Sequence, residues 1–222
     1  MAAPGFEAKR ISYDLHAVLL DMLDGGHMDP AGRVTWGGGD ISALPEFNRV
    51  SQLFTANGIR QTFKTSGFKF LPGLAGALER NLAEVEVSVD AGTPETYALV
   101  KGKDAFDRVT SNLREYAEAG EIHLKYIACK DNLGDRDIDG FVELARDLGT
   151  KYVIVTPEWK QCHDGALLQD EYLSAIARLI DSLGEIATVA PANRAEGERL
   201  FPDGMWAMIE PRLAVAAAPA AS

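Results

Sequence analysis

Four polar residues stand on apolar-patterned strands or just after them: Asp40, Ser88, Asp90 and Lys125. Val85, Val87 and Val89 alternate with polar residues, the period of a strand. Asp90-Ala91-Gly92-Thr93-Pro94 follows as a cluster of turn formers, and Pro94 biases Thr93 away from helix. Ser88 and Asp90 therefore sit at the carboxyl end of a strand, where parallel α/β proteins gather ligands. Arg33-Val34-Thr35-Trp36 reads as a second strand and runs directly into Gly37-Gly38-Gly39-Asp40. Bare glycine backbone lets a ligand approach closely, and Asp40 adds a negative charge there. Lys125 lies on a further strand, His123–Ala128, and can pair with a ligand anion or with Asp90 or Asp131. The carboxylates are too few for a metal cage, and His123 opens its strand instead of closing it. That argues against a metal-dependent isomerase or aldolase.

The elements that position these residues follow from periodicity. Strands are expected near residues 34, 62, 86, 125 and 153, with one more at Ile186–Val189. Helices are expected at 6–24, 42–57, 71–80 and 104–119, then around Ile138–Leu148 and Leu168–Leu183. Asp104 is read as the cap of the fourth helix, after a short Tyr97–Leu99 segment and a Lys101-Gly102-Lys103 loop. Alternating βα units on this rhythm imply a parallel sheet with right-handed crossovers, and five or six units suit a partial barrel. The chain opens on a helix with no strand before it. That would leave the edge at Val34–Trp36 open to pairing with a partner chain.

Composition narrows the class. The 222 residues are 46% hydrophobic and 25% charged, ordinary for a globular protein. No apolar run approaches the roughly 18 residues of a membrane helix, and MAAPGFEAKR lacks the pattern of a signal peptide. Two cysteines, Cys129 and Cys162, make no disulfide framework and suit a reducing cytoplasm. The net charge is −11, and all of the acidic excess lies after residue 80. Such a surface repels nucleic acid and anionic membranes.

Taken together, the strand ends resemble the core domain of the radical S-adenosylmethionine (radical SAM) superfamily. Trp36-Gly37-Gly38-Gly39-Asp40 is similar to its Gly-Gly-Glu motif, with Asp40 in place of Glu, and Lys64-Thr65-Ser66-Gly67 to its Thr-Asn-Gly. Val87-Ser88-Val89-Asp90-Ala91-Gly92-Thr93-Pro94, with Lys101-Gly102 and Phe106, resembles the fourth-strand segment. Leu124-Lys125-Tyr126-Ile127, Asn132 and Asp139-Gly140-Phe141 resemble the fifth strand and its helix. The resemblance implies an α/β partial (βα) barrel over 1–190, parallel and without its first strand, followed by a 191–222 extension with an Ala/Pro-rich tail. It also implies SAM as cofactor, with Gly38, Gly39 and Asp40 at its amino group. Ser88 and Asp90 would lie at the ribose or methionine end, and Lys125 at the carboxylate. Glu158, Trp159 and His163 follow the strand near 153 and are either ordinary loop residues or the lining of a substrate opening, for a small molecule or a peptide.

The family's Cys-x-x-x-Cys-x-x-Cys, whose thiolates hold a [4Fe–4S] cluster, is absent, because no cysteine precedes Cys129. The expectation is an N-terminally truncated part of a radical SAM enzyme, inactive in that chemistry alone and with no metal ligands of its own. The alternative is a non-catalytic relative that binds SAM or a partner.

Overall fold

A computed structural model describes residues 14–29, 31–37, 39–202 and 204–213 of the chain. The strands are β1 (Arg33–Trp36), β2 (Arg60–Thr65), β3 (Ala83–Ser88), β4 (Ile122–Ala128), β5 (Tyr152–Pro157) and β6 (Thr188–Ala190). They form one sheet in the order β1-β2-β3-β4-β5-β6, and every neighbouring pair is parallel. Each strand thus neighbours the next in sequence, and β1 and β6 are not paired to each other. The result is an open, partial βα barrel.

The helices are α1 (Leu15–Asp24), α2 (Phe47–Ala56), α3 (Pro72–Glu79), α4 (Pro94–Lys101), α5 (Phe106–Ala119) and α6 (Asp135–Asp147). They continue with α7 (Trp159–His163), α8 (Asp170–Gly184), α9 (Arg194–Leu200) and α10 (Met205–Ile209). Strand alternation sorts the residues by face. Phe63, Val85, Val87, Leu124, Tyr126, Val153 and Val155 are fully buried, in the one large core that lies between sheet and helices. Their alternates Thr62, Lys64, Glu84, Glu86, Ser88, His123 and Lys125 line the opposite, concave face. A smaller cluster of Val50, Phe54 and Ile59 seats α1 beside β1 through Leu15, Leu19 and Leu23. At the far side Phe201, Met205, Trp206 and Ile209 join the main core.

Several expected boundaries move. Pro94 starts a helix, α4, that absorbs Tyr97–Leu99 and Lys101, where a segment and loop were expected. A proline fits the first helical turn because its missing N–H has no partner there. Thr93, not Asp104, supplies a side-chain cap, accepting from Thr96 N at 3.2 Å. The cap of α5 is Ala105, which makes no side-chain bond. The helix expected from Ser42 begins at Phe47, after a 3-10 turn at Ile41–Ala43 whose cap is Asp40. Of the helix expected over 6–24, residues 6–13 lie outside the described residues, as does the Ala/Pro tail from 214.

The tightest packing in the barrel is backbone against backbone. A Cβ built on Gly92 would stand 1.9 Å from Asp137 O and 2.3 Å from Phe141 N, and one on Gly140 2.3 Å from Gly92 O. Main-chain atoms cannot swing aside as a flexible side chain does, so α6 and the β3–α4 loop touch only because both residues are glycine. Gly92→Ala is expected to destabilise the protein by about 3 kcal/mol, the upper end of overpacking costs. A lower midpoint in urea unfolding checks it.

Candidate functional site at the carboxyl ends of the strands

The end of β3 is built on two buried carboxylates. Asp137, in the first turn of α6, accepts from Gly92 N at 2.9 Å, from Thr93 N at 3.0 Å and from the Tyr126 hydroxyl at 2.6 Å. Burial first, then the Asp137 charge, pushes the Tyr126 phenol far above its usual range, so it stays a donor. Asp90 sits in the left-handed region at φ 57°, which is rare for a residue with a Cβ, and is only 2% exposed. Its Oδ1 accepts from Ile127 N at 2.7 Å and its Oδ2 accepts from Lys101 Nζ. Its carbonyl accepts from Asn132 Nδ2 at 2.9 Å. Burial raises the Asp90 carboxyl above the usual carboxylate range, although the Lys101 charge pulls it down. Asp90 therefore faces protein with both carboxylate oxygens committed, and spacing alone gave no sign that Lys101 would be its partner.

Asp40 is placed differently. Its Oδ1 accepts from Ser42 N at 2.9 Å and its Oδ2 from the Ser66 hydroxyl. Burial raises its carboxyl, but these hydrogen bonds outweigh it and leave the group below the usual range, ionised and exposed to solvent. Ser66 closes β2, so the structure brings the ends of β1 and β2 together. Gly39 has φ 154° and open space where a Cβ would be, while Gly38 lies outside the described residues.

On the concave face Ser88 of β3 is in register with Lys125 of β4. Lys125 pairs with neither Asp90 nor Asp131. Its Nζ stands 3.8 Å from Glu86 Oε1, and Lys64 Nζ stands 3.7 Å from Glu86 Oε2. These long, partly exposed contacts are weak ion pairs that a bound anion can displace. Thr62 Oγ1, on the same face, is buried without a hydrogen-bond partner among the described residues. An unpaired polar atom and loosely paired charges mark a surface suited to a polar, zwitterionic ligand. Glu158 does not line that surface freely, because both of its carboxylate oxygens cap α7 through Lys160 N and Gln161 N.

The two thiols lie apart from this row. Cys129 follows β4 and Cys162 lies in α7, both are buried, and burial pushes both up, Cys162 to about 11. A cluster ligand must be a thiolate, so these environments favour the wrong form, and two thiols fall short of the three that a cluster needs. The residues of this chain do not fit a [4Fe–4S] group. Among the described residues no set of three His, Cys, Asp or Glu side chains is grouped to hold a metal ion. None of their helices is long and apolar enough to cross a membrane.

An open parallel βα barrel of this kind is the fold that solved radical SAM cores share. No family model matches the chain. It is 27% identical over 117 residues to the mycofactocin maturase MftC of Mycobacterium tuberculosis, 52% of this chain and 30% of that protein. It is 25% identical over 159 residues to a probable GTP 3',8-cyclase of Methanothermobacter thermautotrophicus, 70% of this chain and 52% of that one. The chain thus spans about a third to a half of the length of these curated relatives. Among solved structures, anSMEcpe with bound S-adenosylmethionine superposes with a TM-score of 0.57 at 14% identity, over 85% of this chain and 58% of that one. In fold and in sequence the chain is similar to radical SAM core domains.

The Asp90–Lys101 pair yields a signed prediction. Lys101→Met leaves a buried carboxylate without its cation, and is expected to cost on the order of 2 kcal/mol, discounted because Lys101 keeps some exposure. The raised carboxyl of Asp90 takes up a proton as pH falls, which relieves the unpaired charge. The deficit against the native chain therefore shrinks at acid pH and is full at neutral pH. Paired urea titrations at the two pH values check the sign, and a deficit that grows in acid contradicts it.

Proposed function

We propose that this chain is the SAM-binding portion of a radical SAM core, with SAM seated on the concave face at the carboxyl ends of β1 to β4. The register of Ser88 with Lys125, beside the paired Asp40 and Ser66, is the observation that carries this reading. Asp40, held ionised, suits the ammonium group of the methionine portion, and the backbone at Gly39 leaves room for it to approach. Lys125 exchanges its loose contact with Glu86 for the SAM carboxylate. Ser88 supplies a hydroxyl to the ribose or to the methionine end. Asp90 acts behind them, as a positioning residue that ties β3 to β4 through Ile127 N and fixes the angle at which Ser88 and the β3–α4 loop meet the ligand.

Bound SAM supplies an alkyl sulfonium, whose adenosyl carbon becomes a radical only when an electron arrives through a cluster. Two cysteines in unsuited surroundings do not provide that cluster, so the 222-residue chain binds SAM without cleaving it. Substrate, reaction and partners of a longer protein would then depend on groups added to this core.

In isothermal titration with SAM, Ser88→Ala and Lys125→Ala are each expected to weaken binding about ten-fold, the scale of one hydrogen bond to a charged group. Unchanged affinity in both variants would falsify the assignment. With SAM and a strong reductant, the purified chain is expected to release no 5′-deoxyadenosine. Reductant-dependent release, followed by chromatography, would overturn that part of the reading.

A further inference from the structure

A separate cavity lies past the carboxyl ends of β5 and β6. It encloses about 440 Å³ between α7, α9 and α10, within the usual size of small-ligand pockets, roughly 300 to 1,000 Å³. Its walls are soft and polarisable. Cys162 Sγ rests 3.5 Å from Met205 Sδ, and Phe201 is buried beside them. Burial holds the Cys162 thiol protonated at neutral pH, so that wall carries no charge. Trp159 is 50% exposed and Leu168 39% exposed, and the two form an apolar patch in the lining of the cavity. The His163 ring stands beside Trp159, with ring centroids 6.4 Å apart.

Two acidic side chains border this cavity. Glu198 belongs to its lining, and Glu158 is close enough for its charge to help raise the Cys162 thiol. The neighbouring cation, Arg194, is engaged by Glu198 Oε1 at 2.9 Å and by Glu210 at 3.7 Å. Among the described residues, Glu198 Oε2 has no hydrogen-bond donor. An apolar, sulfur-rich wall, an exposed indole and a rim carboxylate select for a ring that carries a positive charge, because the indole face also attracts cations.

We propose that this cavity is a binding site for an arylalkyl amine, with its ring against Trp159 and the Met205 thioether and its ammonium at Glu198. Its use as the substrate side of the SAM site rests on the reading above; the binding itself does not.

Calorimetric titration of the full chain with phenethylamine and with phenylacetate, each with and without SAM, tests the site. Phenethylamine is expected to bind at least about five-fold more tightly than its anionic counterpart, the scale of one cation–aromatic contact. Trp159→Ala and Glu198→Gln are each expected to remove a similar factor while SAM affinity stays unchanged. Both side chains are exposed, so the fold survives their loss, which circular dichroism confirms. Equal affinity for the two probes, no binding of phenethylamine, or binding that neither substitution moves would each sink the proposal. Loss of SAM binding in Ser88→Ala with phenethylamine binding intact leaves this site standing, and its failure with SAM binding intact sinks this site alone.

Discussion

The buried carboxylate of Asp137 is the contact on which the carboxyl end of the sheet depends. It collects donors from the β3–α4 loop and from β4, while its own residue belongs to α6. Three elements are thereby held at one point by hydrogen bonds, with no compensating cation among the described residues. Such a network is stable only when every member is satisfied, because a buried carboxylate short of donors carries a large desolvation cost. The close approach of Gly92 to α6 brings those donors within reach.

From that point outward the chain divides its polar residues into two kinds. Asp90, Asn132 and Asp137 are buried and spend their groups on backbone and on the side chains of Lys101 and Tyr126, so they shape the loops. Asp40, Ser88 and Lys125 stand on the open face, where their partners are single, short-range or loose. The first kind costs more stability when disturbed than the second, which is how a rigid frame can present an adaptable surface. Ion pairs follow the same division, since Asp90–Lys101 is nearly enclosed whereas Glu86 with Lys64 and Lys125 is reached by solvent.

Much of this was legible in the residues. Period-two alternation in Val85-Glu86-Val87-Ser88-Val89 gives the strand and also tells that Ser88 faces away from the helix-packed side. The βα rhythm gives a parallel sheet, because short loops and intervening helices leave little other topology. The ends of elements were harder to read. Pro94 looks like a breaker, yet it opens α4, since proline is disfavoured inside a helix but suited to its first turn. Ser42 looks like the start of a helix, yet Asp40 and the 3-10 turn precede it and delay α2 to Phe47.

The sequence by itself determined the order of the strands and of six of the helices (though not α4, α7, α9 or α10), the two-cysteine limit that rules out a three-thiolate cluster held by this chain, and the residues that punctuate each strand end. These depend on composition and local periodicity, which need no knowledge of distant contacts. Tertiary structure alone decided which punctuating residues turn inward. Asp90 and Asp40 look alike in sequence, each an acid after a strand and within two residues of a glycine. One is buried against Lys101 and the other is left open beside Ser66, because the first lies under α4 and between β3 and β4, and the second at the thin edge of the sheet. Burial is set by what the rest of the chain packs over a residue, and no local pattern carries that information.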